Sequence, residues 1–377
     1  MTSLDQTHAA IRGALDALGA VWVDPPVLQP AAIYLELSGE EIRRRAFLID
    51  DTSHGALCLR PDMTVPAVRF AFAQQKPPTL VAYEGLVFRR QAAGSERESE
   101  FVQFGAEWLG EGEMNAAAEA QVIGAALDCC RAAGVDPALK LGDVAILSGF
   151  VAALGLDEPW PQRVTRALTR PGGLTALRAE KPASPDDEGA GLAKALAVLS
   201  PAHAEAALRD LLAHARITAV GARPIGEIAQ RLQQRGRLAA AAPPSAAQFD
   251  LLDKLVHIDA ADGLDQVAKL AEAKLLKAPS AAQKAIAGAR ARVDALKGAL
   301  PKSFAFAPGL GRTLAYYDGF VFELEAPALG ARASLGGGGR YDGLARALWS
   351  ADRQPPKTLR AAGFAVRPQR IAEAAAP

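Results

Sequence analysis

Charge of one sign is the first thing this sequence lacks: its 377 residues carry 42 lysines and arginines against 42 aspartates and glutamates, a net charge of zero. Proteins that grip nucleic acid through its phosphates usually show a clear basic excess, so nucleic acid is not the expected partner. Cysteine is sparse too, with Cys58, Cys129 and Cys130 the only three. The adjacent pair lacks the spacing of a CxxC redox or zinc site, and all three read as reduced core thiols. Five scattered histidines, His8, His54, His203, His214 and His257, form no HExxH or similar cluster, so no metal and no cofactor is expected. No apolar run reaches the length of a membrane span. The N-terminus carries Asp5 and Asp16 where a signal peptide would need an uncharged apolar stretch. These absences lead to the expectation of a cytoplasmic protein.

What is present is enough to build a core, since half of the residues are hydrophobic and 22% are charged. An amphipathic helix is expected over about Asp5 to Gly19, followed by strands and hairpins over residues 20–110 punctuated by Pro25, Pro26, Pro30 and Pro61. From Asn115 to Ala133 the alanine-rich, apolar-periodic pattern predicts a helix, and Gly134 stands where a helix end favours glycine. A short strand over Leu139 to Leu141 follows. Between about Pro159 and Pro301 Ala, Leu, Lys, Arg and Gln recur at helical spacing, with breaks at Pro171-Gly172-Gly173, Pro182 to Gly191 and Pro243-Pro244. Leu208, Leu211 and Leu212 mark core spacing within it. Strand character returns over Phe304 to Glu325. Beyond the glycine run Gly336 to Gly339 come a short helix around Asp342 to Trp349 and a last strand over Ala361 to Val366. The expected organisation is a core over residues 1–158 and 302–377 with a helical insertion over 159–301.

Three stretches carry polar groups in a pattern that suits a small ligand. In FVQFGAEWLG, residues 101–110, alternation puts Val102, Phe104, Ala106 and Trp108 on one face and Gln103, Gly105 and Glu107 on the other. The second face offers an amide, a gap and a carboxylate, as a strand floor under a small cationic ligand would, or it is simply a half-solvated sheet face. In LRPDMTVP, residues 59–66, a period of two groups Arg60, Asp62 and Thr64, and the carboxylate and hydroxyl suit an ammonium group. In GRTLAYYDGFVFEL, residues 311–324, the same period groups Arg312, Leu314 and Tyr316, with Tyr317 opposite unless a bulge intervenes. Arg312 could clamp a carboxylate bidentately, or form a surface salt bridge; the tyrosines could equally be core residues with a tethered hydroxyl. The hairpin over residues 83–105 has a long charged loop after Arg89 and Arg90, of the kind that covers phosphates or is merely solvated.

Taken together and in order, these stretches resemble a known family. VFRRQAAGSERESEFVQFGAEWLG looks like motif 2 of the class II histidyl-tRNA synthetases, with the spacing from Arg89 to Phe101 kept. LRPDMTVP is similar to the family's LRPE/DxT strand, and RTLAYY stands where the histidine-specific RGLDYY would be. LGGGGRYDGL, residues 335–344, matches the second histidine-specific motif, and AAGFAVRPQR, residues 361–370, resembles motif 3. The matches span about residues 5–150 and 304–371. Such a resemblance implies an α+β fold with an antiparallel sheet of six or more strands backed by helices.

Departures from the synthetase pattern point to one branch of that family. The GLER of motif 3 reads Arg367-Pro368-Gln369-Arg370, placing a long cation where the family has glycine beside the ATP pocket. In motif 2 an acidic residue is replaced by Gln91 and an arginine by Ser99, and the aspartate of RGLDYY is Ala315. The sequence ends seven residues after Arg370, so no C-terminal anticodon-binding domain is expected. This combination resembles the histidyl-tRNA-synthetase-like regulatory subunits of short-form ATP phosphoribosyltransferase. The resemblance implies a non-catalytic protein of histidine biosynthesis, a homodimer that joins a separate catalytic subunit in a hetero-octamer, with histidine as effector. By position, Asp62, Thr64 and Gln103 would face the histidine ammonium, Glu107 and Tyr317 the imidazole, and Arg312 with Arg89 the carboxylate. Tyr316 and Tyr341 would line the pocket. The alternatives are a truncated ligase that still activates histidine and a free-standing histidine sensor.

Overall fold

The structure, a computed structural model, describes residues 3–37, 45–51, 55–168, 172–180, 189–216, 224–310, 316–349 and 354–376. Its chain divides into two compact units. The larger comprises Met1–Gly149, Leu255–Glu272 and Ser280–Pro377, and the smaller Phe150–Lys254 with Ala273–Pro279.

Eight strands make the main sheet of the larger unit: β1 (Val21–Trp22), β5 (Leu80–Phe88), β6 (Glu100–Glu111), β7 (Ala138–Asp143), β8 (Phe304–Phe306), β9 (Phe320–Glu325), β10 (Ser334–Arg340) and β11 (Leu359–Val366). Their order is β1-β5-β6-β11-β10-β9-β7-β8. The six inner strands pair antiparallel, as the motif pattern predicts, whereas β1 on β5 and β8 on β7 are parallel additions at the two edges. A separate antiparallel sheet has the order β2-β4-β3, from β2 (Leu28–Pro30), β3 (Phe47–Asp51) and β4 (Gly55–Leu59).

Local chemistry sets the helix ends. The first helix, Leu4–Asp16, opens on a capping box in which Gln6 N donates to Ser3 Oγ at 3.2 Å and Ser3 N donates to Gln6 Oε1 at 2.8 Å. The helix Ala116–Ala132 begins where Asn115 Oδ1 accepts from Ala118 N at 3.0 Å, and it ends before Gly134, whose φ of +85° is the left-handed conformation a helix terminus favours. Together with the helix Ser280–Leu296 it covers the sheet, burying Val122, Ile123, Leu127, Cys129 and Cys130. Cys58, Cys129 and Cys130 are free thiols, and burial pushes all three up in pKa.

Two stretches depart from the expected alternation. LRPDMTVP leaves β4 at Leu59, turns, and enters the helix Thr64–Phe72, so Arg60 does not share a face with Asp62 and Thr64. Arg60 is buried and turns away, its Nε donating to Leu86 O at 2.7 Å and its Nη1 to Pro25 O at 2.6 Å. Likewise Tyr316 and Tyr317 precede β9 in a turn rather than lying on a strand, which is how both reach the same side.

Of the stretch 159–301 expected as a helical insertion, the helices Gly263–Leu270 and Ser280–Leu296 fall in the larger unit. The smaller unit is helical. Among its elements the helices Ala190–Ala197, Pro201–His214 and Ile225–Ala240 enclose Leu196, Ala204, Leu208 and Ala229, with Leu212 packed against them. Leu211, expected in this core, is 48% exposed, because a position one residue before Leu212 points about 100° away around the helix.

Candidate ligand-binding site

A cavity of about 370 Å³ opens in the larger unit, walled by β10 and β11, β6, the start of the helix Thr64–Phe72 and the turn before β9. Seven sequence-expected residues line it: Asp62, Thr64, Arg89, Gln103, Tyr316, Tyr317 and Tyr341. Arg312 lies outside the described residues.

Helix entry and strand register fix the polar wall. Asp62 Oδ1 accepts from Val65 N at 3.0 Å, so the carboxylate starts the helix and is held in place by it. Burial raises the pKa of Asp62, against the pull of the Val65 N–H and the Arg89 charge. Gln103 Oε1 accepts from Met63 N at 3.1 Å, which fixes the amide's orientation. Arg89 is anchored by Nε, which donates to Pro61 O at 2.7 Å. Tyr316 and Tyr317 have ring centroids 4.7 Å apart, and Tyr316 meets Tyr341 edge to face at 6.3 Å.

Glu107 is placed differently from the others. It is fully buried beneath the cavity and not among the residues that line it. Its oxygens take the hydroxyls of Tyr341 and, at 2.9 Å, of Tyr83, and burial pushes its pKa up to about 7 in spite of these bonds. Tyr83 has one proton and two acceptors, since Phe364 O also lies 3.1 Å from its hydroxyl. A protonated Glu107 resolves this by donating to Tyr83 while Tyr83 donates to the carbonyl. The apparent gap at Gly105 is thus filled from within: a Cβ there would lie 2.5 Å from the Tyr83 hydroxyl, and one at Gly363 would lie 1.6 Å from Glu107 Oε2.

Much of the remaining lining is cationic. Arg45, Arg97, Arg367 and Arg370 line the cavity along with Arg89. Arg370 is buried and committed, its Nη2 donating to Glu98 Oε2 at 2.7 Å and its Nη1 to Ser334 O at 3.1 Å. The Arg367 guanidinium stands 4.0 Å over the Phe101 ring, and Arg89 lies 5.3 Å from the centroid of that ring. Neither Tyr83 nor Arg97 was singled out by the sequence. Tyr83 was readable in principle, as it pairs across β5 and β6 with Gly105, which has no side chain to fill the space.

An inner antiparallel sheet whose strand floor, glycine strand and tyrosine turn enclose one polar cavity is the core of a class II synthetase-like protein. The family model for histidyl-tRNA synthetase matches residues 2–255 and 206–371. An ATP phosphoribosyltransferase regulatory subunit of Brucella anthropi is 33% identical over 357 residues, 92% of each chain, and one of Brucella ovis is 34% identical over 361 residues with the same shares. Among solved structures, an ATP phosphoribosyltransferase regulatory subunit/histidyl-tRNA synthetase from Bacillus halodurans superposes with a TM-score of 0.66 at 19% identity, covering 99% of this chain and 79% of that one. A histidine–tRNA ligase subunit from Alicyclobacillus acidocaldarius gives 0.59 at 22% identity, covering 98% and 92%. The chain belongs to the histidyl-tRNA synthetase family and, within it, to the ATP phosphoribosyltransferase regulatory subunits.

Proposed function

We propose that this chain is non-catalytic, that it binds free histidine in the cavity, and that it confers histidine sensitivity on a separate ATP phosphoribosyltransferase catalytic chain in the cytoplasm. The observation that carries the reading is the polar wall. Asp62, Thr64 and Gln103 offer oxygens to an ammonium group, and three tyrosines, Tyr316, Tyr317 and Tyr341, surround the space a flat ring needs. Arg89, with Arg312 from the sequence, supplies charge for a carboxylate. Glu107 acts on the imidazole through Tyr341, whose hydroxyl it holds.

Assembly is part of the same proposal: a homodimer within a hetero-octamer. Supporting it, Val21, Val27, Leu28, Leu48 and Ile49, on or beside β1, β2 and β3, are all more than a third exposed, an apolar set that a second copy could cover.

Activation of histidine is disfavoured because the Phe101 ring, a flat face on which a nucleotide base could stack, is already covered by Arg367. Histidine-dependent pyrophosphate exchange by the purified chain is expected at background only.

Calorimetry with histidine tests the binding claim. Asp62→Ala and Arg312→Ala each remove a charged partner, on the order of 2 kcal/mol or about thirtyfold in affinity, whereas Glu111→Ala at the exposed end of β6 leaves it unchanged. Equal binding by all three variants would place the histidine site elsewhere. Mixing with a short catalytic subunit is expected to give a larger complex with histidine-sensitive activity.

A further inference from the structure

The three tyrosines of the cavity come from two separate segments: Tyr316 and Tyr317 sit in the turn before β9, and Tyr341 immediately precedes the helix Asp342–Leu348. A wall of rings keeps its shape only if those segments are held at a fixed spacing. A helix leaves its first N–H groups without intrahelical partners, and the residue before it commonly caps them with a short polar side chain. Tyr341 makes no such cap, because its ring lines the cavity and its hydroxyl is held by Glu107. The cap comes instead from Asp318, the residue that follows the tyrosine pair. Its Oδ1 accepts from Asp342 N at 3.1 Å and its Oδ2 from Gly343 N at 2.6 Å, while its own N donates to Arg340 O at 3.0 Å. Glycine at 343 leaves the room, since a Cβ there would lie 3.2 Å from Asp318 Oδ2. The Tyr317 ring lies as close to Gly339, where a Cβ would stand 2.9 Å from its Cδ1. The helix start is in turn pinned to β11, as Tyr341 N donates to Ala361 O at 2.9 Å and Asp342 Oδ1 accepts from Ala361 N at 3.0 Å.

We infer that Asp318 is a positioning residue of the ligand site, a strut that sets the spacing of the Tyr316–Tyr317 pair from Tyr341 through the helix cap it supplies. Asp318 is exposed and does not line the cavity, so it acts on a ligand only through the tyrosines. A carboxylate on two N–H groups at a helix start gains from its charge and from the helix dipole, which makes this bond the stiff link between two otherwise separate segments. Its effect on affinity rests on the reading of the cavity as a histidine site, whereas the strut itself does not.

The test titrates histidine calorimetrically into the full chain and into Asp318→Ala, Asp318→Asn and Ser200→Ala, the last of which removes the cap of the helix Pro201–His214. Fluorine NMR of the same chains labelled with 3-fluorotyrosine reads the wall without any ligand, its five tyrosines giving one resonance each, assigned by Tyr→Phe substitution. Asp318→Ala is expected to weaken histidine binding about tenfold, since walls no longer held in place must be ordered when the ligand enters. It should also shift the Tyr316, Tyr317 and Tyr341 resonances more than that of the buried Tyr34. Asp318→Asn keeps an acceptor for one of the two N–H groups and should stay within about threefold of the unaltered chain. Ser200→Ala should bind as the unaltered chain does, which separates positioning from a general loss of stability. If the wall resonances shift in Asp318→Ala but the unaltered chain binds no histidine, the strut stands and the histidine reading falls. Unshifted wall resonances, undiminished histidine affinity in Asp318→Ala, an Asn variant as weak as the Ala variant, or an equal loss in Ser200→Ala would each overturn the proposal.

Discussion

The two walls of the cavity treat charge in opposite ways. On one, a buried acid is fully engaged: Glu107 is hydrogen-bonded to the Tyr83 and Tyr341 hydroxyls, and Asp62 and Gln103 each accept a backbone N–H. On the other, the terminal nitrogens of Arg89 and Arg97 make no hydrogen bond among the described residues, Arg97 being exposed, and Arg367 reaches a carboxylate only at 4.0 Å, at Glu98. A buried polar group whose bonds are satisfied holds the fold together, whereas a solvated or loosely paired one adds little to it. The polar wall therefore contributes to stability and shape as well as offering oxygens to a ligand, whereas the cationic wall contributes little to stability.

The largest expected effect comes from breaking the first wall. Glu107→Ala leaves the buried Tyr341 hydroxyl without its acceptor, takes one of two partners from Tyr83 and opens a void between β6 and β11. The orphaned hydroxyl costs about 1–3 kcal/mol and the void adds to it, so a loss of roughly 3 kcal/mol or more is expected in urea denaturation. A loss under about 1 kcal/mol would mean that Glu107 is not the keystone of this wall.

The pH dependence sharpens the same point. The pKa of Glu107 is raised from 4.5 to about 7 in the folded chain, chiefly by burial. Between these values the folded chain holds a proton that the unfolded chain has lost. The stability Glu107 contributes is therefore whole below about pH 4.5 and declines as the pH rises through about 7. Glu107→Gln cannot titrate, so stability relative to that variant should fall on the order of 3 kcal/mol across the window. A flat difference would show that Glu107 stays ionised when buried.

Most of this arrangement was legible in the sequence where side-chain identity and a two-residue period coincide. Gln103 and Glu107 lie on one side of β6 as alternation requires, and the glycine strand and Tyr341 fall where the motif puts them. Alternation failed at Arg60, because the chain leaves β4 there and turns into a helix, and at Tyr317, because a turn presents both tyrosines to one cavity. Exposure of Leu211 and the burial of Arg292 were not legible either. Arg292 sits in an alanine-rich helix that reads as featureless, yet it is 4% exposed and bonds Glu119 and Asp143 across from other elements. A local pattern cannot register a partner 173 residues away.

The smallest effect is expected on the cationic wall, where it discriminates best. Arg367→Gln removes a guanidinium that packs on Phe101 and has one distant carboxylate at 4.0 Å, against the repulsion of Arg89, Arg370 and Arg97. A cation–π contact of roughly 0.5–1 kcal/mol is lost, and like-charge crowding of similar size is relieved. The two nearly cancel, so denaturation midpoints with and without the substitution should agree to within about 0.5 kcal/mol. Raising the salt concentration sharpens this test, because screening weakens the repulsion more than the buried packing, and the variant should then become the less stable of the two by a few tenths of a kcal/mol. A loss above about 1.5 kcal/mol at low salt would make Arg367 a structural residue like Glu107 and erase the difference between the walls.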